Sequence, residues 1–206
     1  MDVPYRQIRA LYTADTITVY QAYGPEVGIA AGRDGRFPAA FKRDRMTWIK
    51  PSFLWMMYRS GWATKPGQEH VLAIRLRRDG LEWALRHSSW SHYDRDVHVS
   101  RDAWESTRRA PVRLQWDPER DLRLQPLPYR SLQIGLSGEA VDRYLSEWIV
   151  AIDDVTATAH AVRDEIGRGR LAEAAGLLPE ERPYALPGDL AAHIGCSDRP
   201  ILERRA

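Results

Sequence analysis

The chain has 206 residues, with 30 Lys plus Arg against 28 Asp plus Glu, 44% apolar residues and a single cysteine. This composition fits one globular domain and excludes disorder, collagen-like repeats and a disulfide scaffold. No run approaches the roughly 20 apolar residues that cross a membrane, and the opening residues lack an apolar signal region, so a cytoplasmic protein free of the membrane is expected.

Ile8, Leu11 and Tyr12 suggest a short helix-like start, followed by a strand over residues 16–20, which are β-branched and aromatic, with Gln21 and Tyr23 at its end. Pro25 suits the first position of a short helix through Val27, Ile29 and Ala30 that stops near Gly32 to Gly35. A charged loop over 36–45 leads to a segment, 46–62, that is apolar nearly all round. Pro51 fits a first helical turn and Gly61 an end about ten residues later, and a helix apolar on every face is buried. A central helix over about 51–60, packed on a sheet, is expected.

Residues 70–77 alternate as a half-buried strand turned by Asp79-Gly80. A short helix over 81–87 and a polar aromatic loop over 88–100 follow. Residues 112–116 and 122–124 have strand period around a hairpin loop at 117–121. A strand at 131–136 leads to a helix capped near Ser137, on which Val141, Tyr144, Leu145, Trp148, Ile149 and Ile152 share one face, and Val155, Ala159, Val162 and Ile166 mark another helix. The expected fold is α+β: a single compact domain over 1–178, a mixed or antiparallel sheet on the buried helix, and C-terminal helices. Residues 179–206, rich in Pro, read as a tail packing locally.

Only Lys42, Lys50 and Lys65 are lysines, leaving 27 arginines. A GC-rich coding sequence gives such a bias, and the near-equal acids argue against a dedicated DNA-binding protein. No phosphate loop, dinucleotide fingerprint, nucleophile elbow or zinc-protease helix is present. The spacings of His87, His92 and His98 with Asp94 and Asp96 match no compact ligand pattern, so no metal is expected. His193 and Cys196 lack a third, orienting group for nucleophilic chemistry. The stronger set surrounds the apolar helix: Arg45, Lys50, Ser52 and Arg59 beside Trp48, Trp55, Tyr58 and Trp62. A helix start with free N–H groups and a lysine attracts phosphate, and Arg with aromatic rings holds a base or ribose. Gln115, Asp117, Glu119 and Arg120 form a second polar set, and Arg130, Ser131 and Gln133 a third.

The blocks Val19-Tyr20-Gln21-Ala22-Tyr23, Arg45 through Trp62, Gln115 through Arg120 and Arg130 through Leu136 resemble those of the domain of unknown function 4291 family, found in bacteria and fungi. The resemblance reaches to about Ile152 and implies no particular activity.

The expected function is a small nucleotide-binding transferase that uses NAD and resembles ADP-ribosyltransferases. Arg45, Trp48, Lys50, Tyr58, Arg59, Arg130 and Gln133 would bind the cofactor, and Glu119, Gln21 and Ser52 would serve catalysis, with Glu119 stabilising positive charge on the ribose. Tyr20-Gln21 stands where those enzymes commonly carry Arg or His, and no Glu-x-Glu or Gln-x-Glu occurs. The alternatives are a non-catalytic module for RNA or single-stranded DNA, and a homodimeric scaffold.

Overall fold

The computed structural model describes residues 3–196. Its strands are β1 (Arg9–Ala10), β2 (Thr16–Tyr23), β3 (Thr47–Ile49), β4 (His70–Arg77), β5 (Ser88–Trp90), β6 (Val112–Arg120), β7 (Pro126–Leu136), β8 (Ile149–Asp154) and β9 (Arg182–Pro183). Its helices are α1 (Pro25–Asp34), α2 (Phe53–Ser60), α3 (Arg78–Arg86), α4 (Arg101–Thr107), α5 (Glu139–Arg143), α6 (Thr156–Gly167), α7 (Leu171–Gly176) and α8 (Gly188–His193). Two sheets dominate. One has the antiparallel order β2-β4-β8, and the other is mixed, in the order β3-β7-β6-β5 with β5 parallel to β6. They meet where Tyr20 and Lys50 exchange backbone hydrogen bonds, Tyr20 N–H to the Lys50 carbonyl at 2.7 Å and Lys50 N–H to the Tyr20 carbonyl at 3.2 Å. This is the α+β architecture, with a mixed sheet system packed on a buried helix, that the patterning predicts.

Helix α2 has the expected limits. The Ser52 hydroxyl accepts from Trp55 N–H at 3.1 Å, and Gly61 ends the helix in the left-handed region at φ 60°. Phe53, Met56 and Met57 are buried with Tyr20, Val71 and Ala73 of the sheet and with Ala159, Val162 and Ala174 of α6 and α7. The opposite faces of the sheets form the larger core, around Ile17, Val19, Leu72, Ile74, Leu114, Ile134 and Tyr144. Pro51 lies just before the cap rather than in the first turn, and Met46 to Lys50 lead in through β3.

Several sequence expectations are corrected. The start of the chain is extended, not helical: β1 pairs with β9. Asp79 and Gly80 lie inside α3, which begins directly where β4 ends. Ser88 to Trp90 form β5 rather than loop, and the turn between β6 and β7 falls at 121–125, so Asp117 and Glu119 are strand residues and Leu122 to Leu124 are not. Ser137 does not cap α5; its hydroxyl donates to the Pro111 carbonyl at 2.9 Å.

The largest correction concerns the helix expected through Ile152. It widens into a π-helical turn at Tyr144–Trp148 and gives way to β8, in which Ile152 pairs with Ile74 and Ile149 with Leu76. Helical period and β-branched composition compete over Ile149-Val150-Ala151-Ile152, and the open edge of β4 decides for the strand.

The expected local tail is packed into the main core as far as it is described. Tyr184, Leu190 and Ile194 are buried there, and the Ile194 carbonyl accepts from Trp116 Nε1 at 2.9 Å. Residues 197–206 of that tail lie outside the described residues. No helix among the described residues is long and apolar enough to cross a membrane.

Gly80 faces Trp148 so closely that a Cβ atom there would lie 2.4 Å from the indole Cγ. Ala is the better helix former by about 1 kcal/mol, but a buried clash costs about 1–3 kcal/mol. Gly80→Ala is therefore expected to lower stability in urea denaturation, and an unchanged or raised midpoint would refute this packing.

Candidate functional site

Residues directly opposite across an antiparallel pair share a sheet face, so the alternation of β6 and β7 sorts the polar sets. Gln115 faces Gln133 and Asp117 faces Ser131. On this face β3 contributes Trp48, and Lys50 follows two residues on. α2 covers part of the face and leaves a cleft of about 500 Å³ lined by Gln21, Tyr23, Arg45, Thr47, Trp48, Lys50, Trp55, Arg59, Gln68, Gln115 and Gln133, among others.

No carboxylate among the described residues lines this cleft, although the chain carries nearly as many acids as bases. Arg45, Lys50 and Arg59 reach it without an ion pair among the described residues. The Lys50 side chain is buried; its Nζ donates to the Trp48 carbonyl at 3.2 Å and lies 5.5 Å from the centre of the Trp55 ring. Burial first, and the neighbouring Arg59 charge second, push its pKa down from 10.5 to about 7, against an opposing pull from Asp117. Asp117 is held by both glutamines: Gln115 Nε2 donates to Oδ1 at 2.9 Å, and Gln133 Nε2 donates to Oδ2. The Trp55 indole N–H is buried without a partner among the described residues. Gln68, with its amide oriented to satisfy both ends, donates to the Arg59 carbonyl at 3.3 Å and accepts from its guanidinium at 3.2 Å.

Gln21 closes one end of the cleft. Its Nε2 donates to Thr47 Oγ1 at 2.7 Å and to the Trp48 carbonyl at 3.2 Å, and its Oε1 accepts from the Tyr144 hydroxyl at 2.8 Å. It ties both sheets to the helical layer.

The structure thus brings together Gln21, Arg45, Trp48, Lys50, Arg59 and Gln133 and sets four other sequence candidates apart. Ser52 and Glu119 are buried on each other at the start of α2, Ser52 Oγ donating to Glu119 Oε1 at 2.9 Å. Tyr58 lies on the exposed side of α2 with the Arg120 guanidinium 3.6 Å over its ring. Arg130 belongs to a separate hollow with Tyr5, Arg6 and Trp90.

The start of α2 is not free for a phosphate, contrary to the sequence expectation. Glu181, from the chain beyond α7, accepts from Phe53 N–H at 2.6 Å, and Ser52 satisfies Trp55 N–H. Nothing in the local sequence marks Glu181; Asp117 was legible as a member of the polar set on β6. Burial, reinforced by nearby Glu119, raises the Glu181 pKa from 4.5 to about 8, and burial likewise raises that of Glu119. A slightly larger hollow, about 550 Å³ at Arg77, Trp83 and Arg143, offers no free charge of this kind, because Arg77 pairs with Asp79 and Arg143 with Glu139 and Glu147.

A family model described as a domain of unknown function, DUF4291, matches residues 7–184. The chain belongs to that family. No curated protein matches it. In this DUF4291 protein the matched span contains every residue named in the cleft, together with Glu181 and both strands of the β1-β9 pair.

Two opposite pH dependences follow from the buried groups. The unfolded chain keeps Lys50 protonated to about pH 10.5 while the folded protein releases that proton near 7, so wild-type stability relative to Lys50→Met should climb from pH 7 to 10.5. The folded protein keeps the Glu181 proton to about pH 8 while the unfolded chain loses it near 4.5, so stability relative to Glu181→Gln should be greatest below 4.5 and fall as pH rises through 8. Each difference should reach a few kcal/mol, because every tenfold change in proton affinity between the folded and unfolded chain is worth about 1.4 kcal/mol. Urea titrations at pH 5, 7 and 9 measure both, and a flat difference for either variant would refute the corresponding burial.

Proposed function

We propose that the cleft binds a phosphate-bearing nucleotide and that the protein is a transferase acting on it, with NAD the leading cofactor. The observation that carries this reading is the set of three cations, Arg45, Lys50 and Arg59, at a cleft with no lining carboxylate among the described residues. Lys50 is buried while Arg45 and Arg59 are exposed at the mouth; a buried charge is costly unless it is paired, and an anion held by the two arginines supplies that pairing. Trp48 and Trp55 offer ring surface to a base, and the partnerless Trp55 N–H offers a donor. In this reading Arg45 and Arg59 hold the phosphates while Gln115 and Gln133 orient the sugar. Asp117 takes the carboxylate role that sequence reasoning gave to Glu119, because its partners line the cleft and Glu119 is buried on Ser52.

The test is a thermal-shift and calorimetric titration with NAD, ADP-ribose, ADP and a short single-stranded RNA. A ligand at 100 times its Kd should stabilise the fold by about 2.7 kcal/mol. Arg59→Ala should weaken nucleotide binding about tenfold or more, in line with the loss of a charge-assisted contact. Because a bound anion favours protonated Lys50, affinity should fall as pH rises through 7. Binding of RNA without mononucleotide would replace the transferase with a nucleic-acid module, and no binding of any of the four would overturn the reading.

A further inference from the structure

The chain uses arginine for 27 of its 30 cationic side chains, yet the buried cation in the cleft is one of its three lysines. An arginine would grip phosphate at least as well, bidentately and without losing its charge. What a lysine adds is an amine that can shed its proton and attack carbon. Lys50 is built for this. It is buried and free of any carboxylate ion pair among the described residues, with its Nζ bonded only to the Trp48 carbonyl at the wall of a 500 Å³ cleft. By contrast Lys42 and Lys65 are exposed, and Lys65 Nζ is engaged with the carbonyls at the end of α2.

We propose that Lys50 is a nucleophilic amine that forms an imine with the aldehyde or ketone carbon of a phosphate-bearing sugar, the phosphate being held by Arg45 and Arg59. This deepens the reading of the cleft as a nucleotide site and rests on its anion grip. The neutral amine attacks the carbonyl carbon to give a carbinolamine, in which the nitrogen has lost one proton and the oxygen has gained one. Loss of the second N–H proton and departure of the hydroxyl as water then leave the C=N bond. No oxidant or reductant is consumed. Solvent in the open cleft carries these protons, while Asp117, held by Gln115 and Gln133 behind the cleft wall, acts on the Lys50 charge through space. Desolvation and the Arg59 charge keep a large fraction of the amine neutral near pH 7, whereas an exposed lysine is almost wholly protonated there.

The experiment treats the wild-type protein with ADP-ribose or ribose 5-phosphate and cyanoborohydride, which reduces any imine to a stable secondary amine, and locates the adduct by peptide mass spectrometry. Lys42 and Lys65 are controls within the same molecule. Lys50 should be labelled about tenfold faster or more than either. Its labelling should level off above pH 7, while that of the other two keeps rising. Excess inorganic pyrophosphate should suppress the Lys50 adduct alone. Labelling of Lys50 no faster than Lys42 or Lys65 would overturn the proposal. If ADP-ribose still stabilised the protein in that case, the nucleotide reading would stand without the covalent step; if it bound nowhere, both would fall. Lys50→Arg, checked for an unchanged circular dichroism spectrum, should lose the cleft adduct, and a full-rate adduct within the cleft of that variant would also overturn the assignment.

Discussion

The arrangement depends on how two sheets with different partners are held edge to edge at a single point. One pair of backbone hydrogen bonds between Tyr20 and Lys50 joins β2 to the residue after β3, and the Gln21 side chain doubles that link. A buried amide is costly when left unpaired, but here both the amide nitrogen and the carbonyl oxygen have partners: Thr47, the Trp48 backbone and Tyr144. The same residues fix where the sheets part, and the cleft opens there. Lys50 is buried because its backbone completes the seam, so the cleft's cation is placed by the joint between the sheets.

Separation of charge follows. Carboxylates that could have neutralised the cleft are committed elsewhere: Glu119 to Ser52, Glu181 to the start of α2, and Asp117 to two glutamines. Glu119 is buried and Glu181 partly so, and desolvation raises the pKa of both. A near-neutral chain thereby presents a cationic cleft. The segment carrying Glu181 continues into Tyr184, Leu190 and Ile194, so the C-terminal part of the described chain both completes the core and supplies the group that caps the central helix.

Much of the fold was legible because it rests on local rules. Periodicity marked β4 and α6, β-branched and aromatic composition marked β2, an all-round apolar run marked α2, and Pro25 with Gly35 and Gly61 punctuated α1 and α2, whereas the Ser52 cap of α2 went unread. The concentration of cations and aromatics from Arg45 to Arg59 also pointed to the cleft, since β3 and α2 carry these residues consecutively into one place. Reading failed where two local rules conflicted or where a partner lay far along the chain. Ile149 to Ile152 satisfied helix and strand patterns alike, and only the vacant edge of β4 chose between them. Glu119 was misplaced because Pro118 and the charges around it imitate a turn, whereas β7 pairs with the strand straight through them.

The sequence by itself determined the kinds of element, the buried central helix and the family to which the chain belongs, because these reside in residues close together in the chain. Only the tertiary structure decided which polar residues share a site. Gln133 joined Gln115 through strand register, Arg130 went to a different hollow, and Glu181 reached Phe53 across 128 positions of sequence. It also turned Lys50 from one cation among 30 into a buried amine with a pKa of about 7, because desolvation is a property of the surrounding packing and not of the residue.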